Sequence, residues 1–389
     1  MRCVPWLSCL LAVSACALGT PTEPALRFQT TVEQLRTELG LPGMTAAYVF
    51  DTGRRGSAAA GWADKEARKP MRDDSRMLAA SIGKTFVAAT AVSLVREGTL
   101  QLDRPVSHWL GHYPWFPHVP NHATITLRHL LTHTSGVPDY VYMPAFAEAL
   151  NRSWQSPQNL FPPERLIGFV LDQPALFAAG QGWAYSDTGY ILAGLVIEAA
   201  TGRHYFELAE HRFIIPLSLS DTAPADSRNL IRLAAGYTPA DNRFGLPGKT
   251  LDAEGHLQWH PALEWTGGGL VSTSPDLARW GSLLFTGRAM PGNYLPLMLE
   301  TVPTSDSVDG ARYGLGVAVT HHEQLGPVYG HAGWIPGYVS SLRYYPEAGV
   351  SVAFQINTDV GIIDHPAVLN KIEARLIDTL LDGPTGKCN

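Results

Sequence analysis

Ser81 and Lys84 stand three residues apart at the start of a long, nearly all-apolar stretch that runs to Gly98. On a helix, residues three apart share a face, so this spacing sets a hydroxyl beside an amine. The stretch is helical in composition, and Gly98 is a stop signal. Apolar residues occupy every face of it, which predicts a buried helix. A buried ammonium needs polar neighbours or a depressed pKa. A hydroxyl next to such a lysine, near a helix N-terminus whose dipole favours developing negative charge, is placed as an activated nucleophile. Two other chemistries fail on spacing. Gly83-Lys84-Thr85 looks like the end of a phosphate-binding loop, but that loop needs glycine where Leu78 stands. Ala79 likewise breaks the glycine-x-serine-x-glycine elbow.

The elements that must hold this pair come from both ends of the chain. Thr31 to Leu39 reads as a short helix stopped by Gly40, and Met44 to Phe50 as a strand followed by an Asp51-Thr52-Gly53 turn. Tyr338 to Tyr345 and Val350 to Asn357 read as two strands joined by Pro346-Glu347-Ala348-Gly349, and Pro366 to Leu381 as an amphipathic helix. The middle is Pro-rich and mostly helical, with patterns over Ile125 to Thr132 and Asp187 to Ala200. The fold class expected is α+β. One antiparallel sheet is built from residues 28–78 and 262–389 and flanked by N- and C-terminal helices; residues 79–261 form a helical insertion, with the active site at the interface.

A chain of 389 residues that is 45% apolar supports a sizeable core without staples. The net charge of −6 with no basic cluster argues against nucleic acid as a partner. Three of the four cysteines, Cys3, Cys9 and Cys16, fall at the N-terminus, inside a signal-peptide-like run. Val13-Ser14-Ala15-Cys16 resembles a bacterial lipobox, so residues 1–16 are read as the export signal, Cys16 as the lipidation site, and residues 17–27 as a linker. Ordinary cleavage at Ala15-Cys16-Ala17 is the alternative. Either way the mature protein is exported, to the periplasm or cell surface, and a single lipid would tether a soluble domain. No disulfide framework is expected, since Cys388 has at most Cys16 as a partner.

Two further segments complete a pattern. Tyr185-Ser186-Asp187 precedes a helix, and Gly330-His331-Ala332-Gly333 is expected to precede a strand. The order Ser-x-x-Lys, Tyr-Ser-Asp, His-x-Gly resembles the serine β-lactamase and penicillin-binding protein superfamily. The nearest branch is that of class C β-lactamases, D-Ala-D-Ala carboxypeptidases and related esterases. Phrases in the same order support it, among them Leu100-Gln101-Leu102-Asp103, Leu130-Leu131-Thr132-His133-Thr134-Ser135-Gly136, Gly267-Gly268-Gly269-Leu270 and Tyr313-Gly314-Leu315-Gly316. The resemblance covers about residues 30–380 and implies roles. Ser81 is the acylated nucleophile, and Lys84 and Tyr185 share proton transfer. The N–H groups of Ser81 and of Trp334, just after Gly333, form an oxyanion hole. His331 tunes the field. No cofactor or metal is implied; the partner expected is a small amide, ester or peptide substrate, and the protein is expected to be a monomer.

Three departures shape the reading. Asp187 replaces the family's common asparagine and should keep Lys84 protonated, which makes Tyr185 the principal base. A phenolate, with a reference pKa of about 10, requires stabilisation by a cation such as Lys84. Ala332 and Trp334 replace residues that favour carboxylate-bearing substrates, and Val317-Ala318-Val319 supplies no arginine. Esters or amides bound through apolar contacts are therefore favoured, with Trp115, Phe116, Tyr140 and Tyr142 as candidate pocket walls. Two alternatives remain. One is a non-catalytic cell-wall-binding module on the same fold. The other is a zinc hydrolase using His108, His112, His118, His122, His129 and His133, of which three pairs are spaced by four.

Overall fold

The computed structural model describes residues 23–154, 160–305 and 310–381. The export signal, Cys16, the first part of the expected linker and Cys388 lie outside them. Helix α1 spans Glu23–Glu38, so Glu23 to Arg27 are helical and not linker. Proline is tolerated in a first turn, where its missing N–H has no intrahelical partner, so Pro24 does not delay the helix.

Among the described residues, nine strands form one antiparallel sheet. Its long members are β1 (Gly43–Phe50), β2 (Arg55–Asp64), β3 (Ala318–His322), β4 (Gly326–Ile335), β5 (Tyr338–Tyr345) and β6 (Val350–Ile356). The spatial order β2-β1-β6-β5-β4-β3 joins the two ends of the chain, with Met44 opposite Ile356 and Phe50 opposite Val350. Two-residue strands extend both edges: Lys69–Pro70 beyond β2, then Arg312–Tyr313 and Val302–Pro303 beyond β3. β1 and β6 read as nearly continuous apolar runs because both faces of the sheet are covered.

On one face, Phe28, Val32 and Leu35 of α1 join Ile372, Leu376 and Ile377 of the C-terminal helix, Pro366–Leu381. The spacing of each set places it on one helical stripe. On the other face lies the helix Ser274–Phe285, and the nucleophile's helix α2 (Gly83–Arg96) packs against it. Twelve of the fourteen residues of α2, Gly83 to Leu94, are buried, as its all-round apolar character demands. Phe86 stacks on Trp280 at 3.9 Å, and the Trp280 indole donates to Thr85 Oγ1 at 2.7 Å. These contacts fix the rotation of α2 and hence the directions of its first side chains. Ser81 itself lies in a single 3-10 turn, Ala80–Ile82, just ahead of α2.

Candidate active site

The turn that carries Ser81 is clamped from both sides. Ala79 N–H donates to Leu270 O at 2.9 Å, and Ser340 Oγ of β5 donates to Ala79 O at 2.8 Å. Ala80 has φ +48°, an uncommon left-handed conformation for a residue with a side chain. Two glycines permit this crowding. A Cβ on Gly268 would lie 2.5 Å from the Ala80 carbonyl, and one on Gly333 would lie 2.4 Å from Ala79 O. The sequence phrases Gly267-Gly268-Gly269 and His331-Ala332-Gly333 thus mark two backbones pressed against the nucleophile.

Lys84 follows one turn later with its side chain wholly buried. Its ammonium donates to Ser81 Oγ at 3.0 Å, to Asp187 Oδ1 and to the Gly267 carbonyl. An ammonium has three protons and no lone pair, so all three are committed. Gly267 was quoted in the sequence without a role; its carbonyl is the third acceptor. Asp187 opens the helix Asp187–Thr201, which Ser186 caps by accepting from Gly189 N–H at 3.2 Å.

Tyr185 sits just before that cap and lines the same cavity as Ser81, whose hydroxyl is near enough to temper the rise in its pKa. Lys84 Nζ lies 4.9 Å from its ring centre. His133 holds the segment on both sides of Tyr185: its carbonyl accepts from Ala184 N–H at 3.0 Å and its Nδ1 from Ser186 N–H at 3.1 Å. The imidazole also packs on the Tyr185 ring at 4.2 Å. Burial, reinforced by Lys84, holds His133 neutral, well below its usual pKa. Three of the other candidate histidines are spent locally, and His108 and His112 make ring contacts with Trp109 and Tyr113. His118 pairs with Asp172, His122 faces Val119 O, and His129 completes the cap at Thr126. Among the described residues no three His, Cys, Asp or Glu side chains gather as a metal set.

His331, Ala332 and Gly333 lie inside strand β4, not ahead of a strand. Ile335 and Tyr338 close a two-residue hairpin over Pro336 and Gly337 (φ +87°), a type II turn. Alternation from that closing pair leaves the Trp334 N–H pointing away from β5. β3 ends with Ala318 opposite Gly330, so no strand covers that N–H. A Cβ on Gly333 would come 3.1 Å from Ser81 N, which places the two candidate oxyanion-hole segments against each other. The Trp334 indole donates to Asp359 at 2.9 Å, which fixes its ring at the cavity wall. His331 accepts from Tyr313 O–H at 2.7 Å through Nε2 and donates through Nδ1 to Ala332 O. Burial, with Lys84 next, pushes His331 down to about 3, so it is neutral.

Ser81, Tyr185, Asp187, His331, Gly333 and Trp334 all line one cavity of about 460 Å³. Tyr140 and Tyr142 line it as expected; Trp115 and Phe116 do not. Phe116 is buried in the core and Trp115 stacks on Tyr113 at 5.3 Å, so these two aromatics serve packing. The cavity also holds Asp139, Glu264 and Arg312, none of them singled out by the sequence. One electrostatic expectation reverses. Burial first, and the Asp187 charge next, push the Tyr185 phenol well above its usual pKa. Asp187 cancels the help expected from Lys84, so the resting residue is a neutral phenol.

The sheet, its flanking helices and this cleft define the fold of the serine β-lactamases and transpeptidases. The family model described as Beta-lactamase matches residues 28–371, and the chain belongs to that family. It is 30% identical over 341 residues to the esterase EstB of Burkholderia gladioli, across 83% of this chain and 81% of the esterase. It is 26% identical over 356 residues to penicillin-binding protein 4 of Amycolatopsis lactamdurans, across 86% and 85% of the two chains. Among solved structures it is similar to a D-stereospecific amidohydrolase from Streptomyces sp., with TM-score 0.75 and 28% identity, covering 92% of this chain and 99% of that one.

Proposed function

We propose that this chain is a serine hydrolase that cleaves small amides or esters through an acyl-Ser81 intermediate. The observation that carries the reading is the commitment of all three Lys84 protons. With Ser81 Oγ accepting from Lys84, whose protons are all spent, the Ser81 hydroxyl proton is left to Tyr185, the neighbouring phenol of the same cavity, whose pKa the Ser81 hydroxyl tempers. Tyr185 is a neutral phenol and serves as a relay. As Oγ attacks the substrate carbonyl carbon, its proton passes to the Tyr185 oxygen, and the phenol's own proton passes to the leaving nitrogen or oxygen. The bond from carbonyl carbon to leaving group breaks, and no free phenolate forms. The carbonyl oxygen gains charge facing the N–H groups of Ser81 and Trp334. In deacylation, water takes the leaving group's place: it gives a proton to Tyr185 while Tyr185 returns one to Ser81 Oγ.

The names of the matched relatives, an esterase and an amidohydrolase, support this range of substrates. Ala332 and Trp334, both in the cavity wall, favour acyl groups held by apolar contacts. Export, with a tether at Cys16, rests on the N-terminal sequence, and a monomer is the simplest assembly. A fluorophosphonate probe followed by mass spectrometry tests the nucleophile: the adduct is expected on Ser81 and absent from Ser81→Ala. Tyr185→Phe should slow acylation by about 10²- to 10⁴-fold. Near-normal acylation by Tyr185→Phe, with none by Lys84→Ala, would overturn the relay.

A further inference from the structure

Glu264 lines the same cavity as Ser81, yet no hydrogen bond or ion pair to its carboxylate occurs among the described residues. Its backbone is committed: Glu264 O accepts from Gly267 N–H at 2.6 Å, in the short helix Trp265–Gly268 that delivers the Gly267 carbonyl to Lys84. The backbone that carries this side chain is therefore held next to the segment that bonds Lys84. Glu264 is half-buried, and burial together with the Asp187 charge pushes its carboxyl up to about 8.

The other charges of the cavity are already matched. Asp187 takes Lys84. Asp139 accepts from Val141 N–H at 3.1 Å and from the Asp187 backbone N–H. Arg343 is paired with Glu373 at 3.0 Å. Arg312, at the exposed rim, donates to Thr301 Oγ1 and Thr301 O, each at 2.7 Å. Among the described acids of the cavity, Glu264 alone has no hydrogen-bond or ion-pair partner, and a cation that ionised it would supply one. A neutral amide would supply a hydrogen bond but no charge; an ammonium supplies both. Around it the walls are apolar, with Tyr140, Phe146, Phe244, Trp259 and Leu263 in the same cavity.

We infer that Glu264 binds the ammonium group of the acyl portion of the substrate, so that the enzyme acts on amides or esters of unblocked amino acids with large apolar side chains. This rests on the acyl-Ser81 reading, since an α-ammonium one carbon from the acylated carbonyl must share the cleft with Ser81.

Three acyl donors with one leaving group separate the two claims: phenylalanine para-nitroanilide as each enantiomer, its N-acetyl form, and hydrocinnamoyl para-nitroanilide, which lacks the amine. For the wild type, kcat/KM for one free-amine enantiomer should exceed that for hydrocinnamoyl by about 10- to 100-fold. In Glu264→Gln that ratio should collapse to within about threefold, and in Glu264→Lys it should invert. Labelling of Ser81 by the fluorophosphonate probe shows that each variant is folded. A wild type without the preference, or a Glu264→Gln variant that retains it, overturns the subsite and leaves the hydrolase standing. If no donor and no probe acylates Ser81, both claims fall.

Discussion

Lys84 carries two burdens that can be separated. Its ammonium is wholly buried and paired with Asp187, and it orients Ser81 Oγ. Breaking a buried pair by removing one partner leaves the other uncompensated and costs about 3–5 kcal/mol, whereas removing both is far milder. Lys84→Met is therefore expected to lose both stability and acylation. Adding Asp187→Asn to it should restore at least about 1 kcal/mol of stability and no activity. Urea unfolding with parallel burst kinetics checks this. Recovery of acylation in the double variant would mean that the ammonium matters only as a counter-ion. The pair Ser81 and Lys84 was legible in the sequence because three-residue spacing on a helix is a local rule. Glu264 was not, because a carboxylate without a partner is defined by what surrounds it, and here those neighbours come from positions 139, 187 and 259 in the chain.

Strand β4 is the element that turns the nucleophile's turn into a site. It offers the Trp334 N–H, which neither neighbouring strand covers, and reaches Ser81 only because Gly333 lacks a side chain. A Cβ there would meet Ala79 O at 2.4 Å, and Ala79 O is pinned by Ser340 Oγ. Gly333→Ala must push β4 and the Ala79–Ile82 turn apart. Overpacking of this kind costs about 1–3 kcal/mol, and the greater loss should fall on kcat, since the two oxyanion donors separate. A variant with wild-type kcat and raised KM would place the hole elsewhere. Element by element, the sequence was most readable where burial imposes a pattern. β1, β5, β6 and the helix Pro366–Leu381 fall where expected, within a residue at their ends. It failed where glycine and proline carry two meanings. Gly330 and Gly333 read as lying ahead of a strand, yet here they permit close approach within one. Pro24 read as linker and is a first-turn proline.

At the scale of the whole molecule, groups buried in the wrong charge state give the fold a distinctive pH dependence. His133 and His331 are held neutral, the latter down to about 3. In the unfolded chain a histidine titrates at about 6.5. Between roughly pH 3 and 6.5 the unfolded state binds the extra protons, so these residues make stability rise with pH. Asp139 and Glu264 are pushed the opposite way, each up to about 8, mainly by burial and the Asp187 charge; Asp276 and Asp359 are also raised. An unfolded carboxyl titrates at about 4, so between roughly pH 4 and 8 the folded state holds the extra protons and stability falls as pH rises. The two sets oppose each other up to about pH 6.5; above it the carboxyls act alone. The surface pairs that lower Asp64, Asp74, Glu97 and Asp103 act only below about pH 4, where those carboxylates titrate. The urea midpoint is therefore expected to decline from pH 6.5 to 8, by at most about 1.4 kcal/mol per pH unit for each raised group. Glu264→Gln should make that decline shallower, and so should a bound amine that keeps Glu264 ionised. A midpoint that climbs through this window, or a slope untouched by Glu264→Gln, would show that the cleft carboxyls are ionised in the resting protein and that Glu264 has a partner already.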